Sequence, residues 1–216
     1  MHGIPRILIA ISSCQNYEDN GLSQPMRDTW LPEAVLLGMD YKFFYGRGAK
    51  KRDDVVVVDA AADGYYDLTT KTKEKIKWAL FQGYDYMFAC FTDTYAAPER
   101  LLSSGFEKSD YFGDVYCHAD GKPYCQGGQG YFLSRRAMEL LNDDPTNYPN
   151  EDCWVGDVLY KHPEIKCGDS KNFVWCGHLD GAGPTKNNTH ITAHLSNADG
   201  GYTAAMMYAK HRQWHS

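Results

Sequence analysis

Two acidic segments of the sequence carry side chains whose types and positions could support catalysis. Asp93 directly follows the apolar run Tyr84–Phe91, and Asp152 stands beside Glu151 in the segment Tyr148–Gly156. Open α/β sheets bind ligands beyond the carboxyl ends of their strands, and hard divalent cations prefer oxygen ligands. Asp93 could therefore hold a cation against a diphosphate, and Asp152, at the start of a helix, could act as a general base on a hydroxyl group.

Both acidic segments also have a purely structural interpretation. Asp93 could belong to a turn or to a helix start, because Pro98 stands near a possible first helical residue. Acidic residues at a helix start stabilise the helix dipole, and this interpretation is the stronger one for Glu151. From the residue types alone, the turn is favoured for Asp93, whereas both roles stay open for Asp152.

A histidine and a glycine-rich segment supply two further candidates. His178, in the segment Trp175–Asp180, could bind a transition metal such as Mn²⁺ through a neutral imidazole, although a lone histidine is more often structural. His190 and His194 compete for this role. The glycines of Pro123–Gly130 could allow close approach of a ligand or of a neighbouring strand. Because they precede a strand, they do not form a dinucleotide-binding fingerprint.

The elements that must position these residues alternate between strands and helices. Continuous apolar or β-branched runs predict buried strands, and Leu68–Gln82, followed by Gly83, predicts a helix. Four of its apolar side chains could share one face: Leu68, Ile76, Leu80 and Phe81. The predicted strands are Arg6–Ile11, Tyr41–Tyr45, Val55–Val58, Tyr84–Phe91, Phe112–Tyr116 and Gly130–Leu133, and the further helices are Arg135–Leu141 and Asp152–Lys161. This alternation predicts an α/β fold with a mostly parallel mixed sheet flanked by helices.

Bulk properties limit the possible functions. No repeat or linker divides the sequence, so residues 1–216 are expected to form a single domain with a loop-rich C-terminal segment at 177–216. The formal net charge of −6 argues against nucleic-acid binding, and no apolar run is long enough to span a membrane. Seven cysteines without metal-type spacing, and no signal peptide, favour reduced thiols in a cytoplasmic or cytosol-like compartment. The Golgi lumen is expected only if the chain is the trimmed part of a longer protein.

Six segments, taken in order, resemble the β-1,3-glycosyltransferase family, which includes the β-1,3-galactosyltransferases and the fringe proteins. The first three are Arg27–Trp30 (RDTW, against R-E-T-W), Tyr65–Thr72 (YYDLTTKT, against Y-x-N-L-T-x-K-T), and Thr92–Tyr95 with Pro98–Leu101, at the D-D-D motif. The others are Gln126–Arg135 (QGGQGYFLSR, against T-G-G-A-G-F-x-L-S-R), Glu151–Gly156 (EDCWVG, against D-D-C-T-V-G) and Gly177–Asp180 (GHLD, against S-H-L-E). Each block is short, and their common order over roughly residues 7–180 carries the resemblance.

The resemblance implies a GT-A fold, a UDP-sugar donor, a glycan or glycoprotein acceptor, and inversion at the anomeric carbon. It also implies a divalent cation, usually Mn²⁺ or another such as Mg²⁺. By position, Asp93 and His178 match the family's metal ligands, and Asp152 matches its catalytic base. Donor binding is predicted for Ser12, Arg27, Lys71, Thr92, Asp93 and Gly128, although Arg27 and Lys71 could instead stabilise the fold around the nucleotide. Phe91 and Thr92 replace acidic residues of the family motif, so metal affinity or donor choice could differ.

Two other functions stay open at this point. A catalytically silent relative that binds sugars or partner proteins would fit the depleted acidic motif, but the presence of both Asp152 and His178 argues against it. Nucleotidyl transfer on a similar sheet would need a glycine-rich, basic loop after Ile11. Ser12–Gln15 stands there instead and does not supply such a loop.

Overall fold

A computed structural model of the protein describes residues 5–59, 61–146, 148–176, 189–196 and 201–215. Its strands are β1 (Ile7–Ser12), β2 (Asp40–Gly46), β3 (Val55–Val58), β4 (Tyr86–Phe91), β5 (Thr94–Ala96), β6 (Tyr111–Gly113), β7 (Val115–Cys117), β8 (Pro123–Cys125), β9 (Tyr131–Ser134), β10 (Cys167–Asp169), β11 (Phe173–Cys176) and β12 (Thr192–Leu195). Its helices are α1 (Gln15–Asp19), α2 (Gln24–Asp28), α3 (Trp30–Leu36), α4 (Leu68–Gln82), α5 (Pro98–Leu102), α6 (Arg135–Asp143), α7 (Glu151–Leu159) and α8 (Ala204–His215). The predicted strands and helices are confirmed to within a few residues at their ends, with one exception. The predicted strand Phe112–Tyr116 is divided at Asp114 into β6 and β7, which belong to different sheets.

A seven-stranded sheet forms the centre of the molecule, in the order β10-β6-β9-β4-β1-β2-β3. Strand β1 pairs in parallel with β2 and β4, β2 with β3, and β10 with β6, whereas β9 is antiparallel to both of its neighbours. The predicted α/β fold with a mostly parallel mixed sheet is confirmed. A smaller sheet joins β11, β12 and β5, and a hairpin pairs β7 with β8.

The central sheet is buried on both faces, as the continuous apolar run of β1 predicts. Ile7, Ile9 and Ile11 point to the side covered by α3 and α8. Leu8 and Ala10 point to the side covered by α4, α6 and α7. Two layers of helices therefore hold the carboxyl ends of β1 and β4 in fixed positions, and those ends carry Ser12 and Phe91.

Helix α4 begins and ends where the sequence predicts, but its buried face is different. Gly83 ends it in the left-handed conformation, with φ of 79°. Of the four residues expected on one face, only Ile76 is fully buried, and Phe81 is 85% exposed. Phe81 follows Ile76 by five residues and so lies about 140° around the helix. The buried face instead includes two lysines, Lys71 and Lys75.

The prediction of a loop-rich segment at 177–216 is wrong for the part of it that the structure describes. Residues Thr192–Leu195 form the middle strand of the small sheet, and Ala204–His215 form a helix of three turns. Strand β12 is short and pairs with β5, which lies about 100 residues earlier in the chain. A local pattern gives little indication of such a strand.

No helix among the described residues is long and apolar enough to cross a membrane. The six cysteines whose side chains are described are free thiols.

Candidate active site

A cleft of about 510 Å³ opens at the carboxyl ends of β1 and β4. Its lining comes from the ends of these strands, the turn before α4, the glycine-rich segment, the start of α7, and β12. Five of the six predicted donor-binding residues line it, namely Ser12, Lys71, Thr92, Asp93 and Gly128. Asp152, the predicted catalytic base, lines it as well. The sheet therefore gathers the predicted residues at the edge where α/β folds bind ligands.

Asp93 faces a histidine across the junction of the two sheets. It lies in the turn between β4 and β5, and its carbonyl accepts a hydrogen bond from the Leu195 amide at 2.8 Å. Register pairs His194 with Thr94. His194 Nε2 therefore lies 3.2 Å from Asp93 Oδ2.

The Asp93–His194 pair has unused ligand atoms. Asp93 Oδ1 and His194 Nδ1 are buried and have no hydrogen-bond partner among the described residues. His194 Nε2 and Asp93 Oδ2 already contact each other at 3.2 Å, so a cation would either replace this contact or bind through one of the two unpartnered atoms. A carboxylate and an imidazole also suit Mn²⁺ and related ions. The donor set of this pair therefore fits a divalent cation.

His178, the histidine that the resemblance selects, lies outside the described residues, so its predicted role stays a prediction. Of its two competitors, only His194 lines the cleft. His190 is buried elsewhere, where its carbonyl accepts a hydrogen bond from Arg100 at 2.8 Å.

The glycine-rich segment packs directly against these side chains. Gly127–Gln129 form a 3₁₀ turn before β9. A Cβ atom on Gly128 would lie 2.5 Å from the His194 ring, and one on Gly127 would lie 2.8 Å from Glu151 Oε1. The Gly128 carbonyl accepts a hydrogen bond from Thr94 Oγ1 at 2.9 Å. Glycine is therefore required here because the side chains of the site approach the backbone closely.

The two carboxylates at the start of α7 have different environments. Asp152 is half-buried, and its oxygens accept hydrogen bonds from the Gly127 amide at 3.2 Å and the Cys153 amide at 2.8 Å. Glu151 is only 4% exposed, and it accepts a hydrogen bond from the Tyr131 hydroxyl at 2.6 Å. Asp152 is the more accessible of the two to an incoming hydroxyl group. The interpretation of Glu151 as a helix-dipole residue is incomplete, because its side chain also lines the cleft.

A buried polar network lies beneath these carboxylates. Lys75 Nζ donates a hydrogen bond to Ser12 Oγ at 2.8 Å. Burial raises the pKa of Glu151 to about 7, although the Lys75 ammonium opposes this. Burial lowers the pKa of Lys75, and the Glu151 carboxylate opposes that shift in turn. The two groups thus stabilise each other's charged forms inside the protein.

Lys71 brings a positive charge to the cleft wall. Its Nζ donates hydrogen bonds to the Ser13 carbonyl at 2.7 Å and to Asp63 Oδ1 at 2.9 Å. Burial would raise the pKa of Asp63, but hydrogen bonds from the Gln15 amide, Lys71 and the Gly46 amide outweigh it and lower this pKa. Asp63 therefore stays ionised and holds Lys71 in place.

Arg27 is the one predicted donor-binding residue that the structure does not bring to the cleft. Its Nε donates to Asp54 Oδ2 at 2.6 Å, and its Nη1 donates to Glu18 Oε2 at 3.0 Å. The guanidinium also lies over the Phe43 ring, 4.3 Å from its centre. These contacts correspond to the alternative role, stabilisation of the fold.

The sequence did not indicate two charged residues of this region, Asp63 and Lys75. It also did not indicate that Glu151 faces the cleft. One signal was present in α4. Lys71 and Lys75 share the helical spacing of Ile76 and Ala79, which places both lysines on the apolar face. A lysine on such a face needs a buried partner.

Comparisons with known proteins found similar structures but no matching sequence family. The sequence matches no protein-family model and no curated protein. Its structure is similar to a crystal structure of a glycosyltransferase involved in the glycosylation of the major capsid of PBCV-1, over 96% of this chain and 98% of that chain, with 15% identity and a TM-score of 0.58. A197 from STIV aligns over 76% of this chain and 82% of that chain, with 12% identity and a TM-score of 0.44. At 15% identity, the first likeness shows that the two chains share a fold.

Proposed function

We propose that the protein is an inverting glycosyltransferase that moves a sugar from a UDP-sugar to a hydroxyl group of a glycan or glycoprotein acceptor. One observation carries the proposal: the Asp93–His194 pair, with its unpartnered ligand atoms, shares a cleft with the accessible carboxylate of Asp152. The glycosyltransferase-like fold and the order of the six sequence blocks support it.

Asp93 and His194 are the described residues that would hold a divalent cation, and Mn²⁺ suits their ligand atoms. When bound, such a cation neutralises negative charge that develops on the departing diphosphate. Among the described residues His194 is the histidine ligand of this proposal, and the predicted role of His178 as a metal ligand is proposed alongside it. The assignment of Asp93 and His194 depends on the 3.2 Å contact between the two side chains and on their buried, unpartnered atoms.

Asp152 acts as the general base in this proposal. It takes the proton of the acceptor hydroxyl while the hydroxyl oxygen forms a bond to the anomeric carbon and the bond from that carbon to the UDP oxygen breaks. Attack and departure on opposite faces invert the anomeric centre. Two backbone amides fix the Asp152 carboxylate at the edge of the cleft, and such positioning is a requirement for a catalytic base.

Ser12, Lys71, Thr92 and Gly128 are proposed to bind the donor, since all four line the cleft near Asp93. The Lys71 ammonium is paired with Asp63 and bonded to the Ser13 carbonyl, which leaves one N–H of its three for a diphosphate oxygen. Phe91 and Thr92 offer no carboxylate at this edge, so Asp93 supplies the acidic ligand of the motif.

The test is transfer and hydrolysis of a panel of UDP-sugars with Mn²⁺, by the wild type and by Asp152→Asn. The proposal predicts that at least one donor is turned over, and that the variant binds this donor but turns it over far more slowly. Equal turnover in the variant would reject the base assignment. Binding of UDP-sugars without turnover by the wild type would identify a catalytically silent relative.

A further inference from the structure

A second group of potential metal ligands lies outside the cleft, where the C-terminal helix meets the N-terminal half of the chain. Glu33 comes from α3, and His211 and His215 come from α8. The two histidines are four residues apart and so lie on the same face of the helix. Neither histidine nor Glu33 lines the cleft around Asp93.

The ligand atoms of these three side chains converge on one point. One such atom from each residue lies within 4.8 Å of the other two. His215 Nε2 is 3.4 Å from Glu33 Oε1, and the two imidazole rings are 4.3 Å apart between centres. Ligand atoms bound to tetrahedral Zn²⁺ at about 2.0–2.1 Å lie roughly 3.4 Å apart. Closing the widest gap therefore requires side-chain movements of roughly 1 Å.

The hydroxyl group of Tyr95 lies beside both imidazoles. It lies 3.1 Å from His211 Nδ1 and 3.4 Å from His215 Nε2. The hydroxyl can donate its proton to one of the two nitrogens and accept a hydrogen bond from the N–H of the other. A cation bound by both imidazoles would replace these contacts, and the Tyr95 hydroxyl would then lie beside it.

The surroundings leave room for a further ligand. A cavity of about 430 Å³ adjoins the group and is lined by Glu33, Tyr95, Trp214 and His215, among others. Two histidines and one glutamate, with a fourth position open to water, form a donor set that binds Zn²⁺ in proteins. Imidazole nitrogen and carboxylate oxygen are not selective for Zn²⁺ alone, so related ions such as Co²⁺ serve as probes.

We propose that Glu33, His211 and His215 form a Zn²⁺ site that fastens α8 to α3. The layer that contains α8 packs on β5 and β12. Asp93 directly precedes β5 and His194 lies on β12, so an ion that stabilises this layer also stabilises one side of the cleft. Its role is to stabilise this layer, and the ion is separate from the cation proposed for the cleft.

The direct test is titration of the full chain with Zn²⁺ alone, without nucleotide, by calorimetry, on the wild type, His211→Ala, His215→Ala and Glu33→Gln. We expect each histidine variant to lower the number of bound ions by one, or to weaken that site at least about 100-fold. His162→Ala is the matched control, because His162 is a partly exposed histidine that also lies beside a glutamate, 3.2 Å from Glu164. An unchanged number and affinity in His215→Ala would overturn the proposal.

Two further readouts separate this site from the cleft and from misfolding. His215 is exposed near the end of α8, so His215→Ala tests the site even if His211→Ala fails to fold. Zn²⁺ at 100 times its Kd should raise the Tm of the wild type by roughly 5–10 °C and leave that of His215→Ala unchanged. His194→Ala should keep this ion. If His194→Ala loses the ion and His215→Ala retains it, the ion belongs to the cleft and the proposal is wrong.

Discussion

At the level of single residues, the two carboxylates at the start of α7 differ in what they can do. Asp152 is the more accessible and is held by backbone amides, whereas Glu151 is enclosed with Tyr131 and Lys75. We therefore expect Asp152→Asn to lower kcat by about 10²–10⁴-fold, because it removes the base and retains the shape of the side chain.

Glu151→Gln is the matched control for this substitution, since glutamine can still accept the Tyr131 hydrogen bond. Its effect on kcat should be smaller than that of Asp152→Asn. The comparison requires the donor and acceptor pair identified by the UDP-sugar panel. A larger loss in Glu151→Gln than in Asp152→Asn would exchange the two roles.

The raised pKa of Glu151 also predicts a pH dependence of stability. Its pKa is about 7 in the folded protein and 4.5 as the ordinary value, so the folded state binds more protons between these values. The contribution of Glu151 to stability is therefore full below pH 4.5 and is lost as the pH rises through about 7. Relative to the wild type, Glu151→Gln should gain stability over this range.

The measurement is the urea midpoint of both proteins at several pH values from about 5 to about 7.5. Partly buried histidines titrate in the same range, but they are common to both proteins and cancel in the difference. If instead the wild type becomes more stable relative to Glu151→Gln as the pH rises, the raised pKa of Glu151 is contradicted.

At the level of elements, the glycine-rich turn and β12 must approach each other closely to place His194. Gly128→Ala would put a methyl group 2.5 Å from the His194 ring and displace it. We expect Mn²⁺-dependent UDP binding to weaken by about 10–100-fold, the range found when the support of a metal ligand is disturbed. Calorimetric titration measures it.

Gly168→Ala on β10 is the control for Gly128→Ala. Its methyl group would also meet neighbours, at 2.5 Å from Ser109 and 2.7 Å from Phe112, but away from the cleft. Overpacking of this kind costs about 1–3 kcal/mol of stability. Gly168→Ala should therefore lose stability and keep its affinity for UDP. Equal affinity in Gly128→Ala would show that His194 is not held by this turn.

Arg27 links α2 to β2 and to the region of α1, and this gives a further prediction. Arg27→Met keeps the contact with Phe43 but removes the more buried of the two cations that Glu18 and Asp54 share, the other being Arg52. We expect a loss of about 2–4 kcal/mol in the free energy of unfolding, measured by urea denaturation. The Kd for UDP should not change. A weaker Kd at unchanged stability would restore Arg27 to the donor site.

Elements with strong local signals could be predicted from the sequence. The apolar run of β1, the valines of β3 and the Gly83 stop of α4 fix these elements by themselves. The buried face of α4 was only partly predictable: helical spacing places Lys71 and Lys75 with Ile76 and Ala79, but the partners that bury the lysines come from other segments. Tertiary contacts decided that face.

At the level of the whole molecule, the cleft is assembled from segments that are far apart in the chain. Asp93, Asp152 and the glycine-rich segment were predicted as candidates, and the structure brings them to one cleft. The Asp93–His194 contact spans 101 residues and depends on the register between β5 and β12. No local pattern around His194 distinguishes it from His190, so the sequence could only name both.

The fold alone is compatible with several reactions, because function resides in the site and not in the sheet that supports it. The central claim is therefore that Asp93 and His194 bind a divalent cation that the nucleotide shares. Two variants address it, Asp93→Ala and His194→Ala, with His162→Ala as a control outside the cleft.

Calorimetric titration of UDP into the protein, with Mn²⁺ and then with EDTA, tests this claim most directly. The account predicts that the wild type and His162→Ala bind UDP in a Mn²⁺-dependent manner, and that Asp93→Ala and His194→Ala weaken this binding at least about tenfold. Mn²⁺-dependent binding of the same strength in both cleft variants would contradict it.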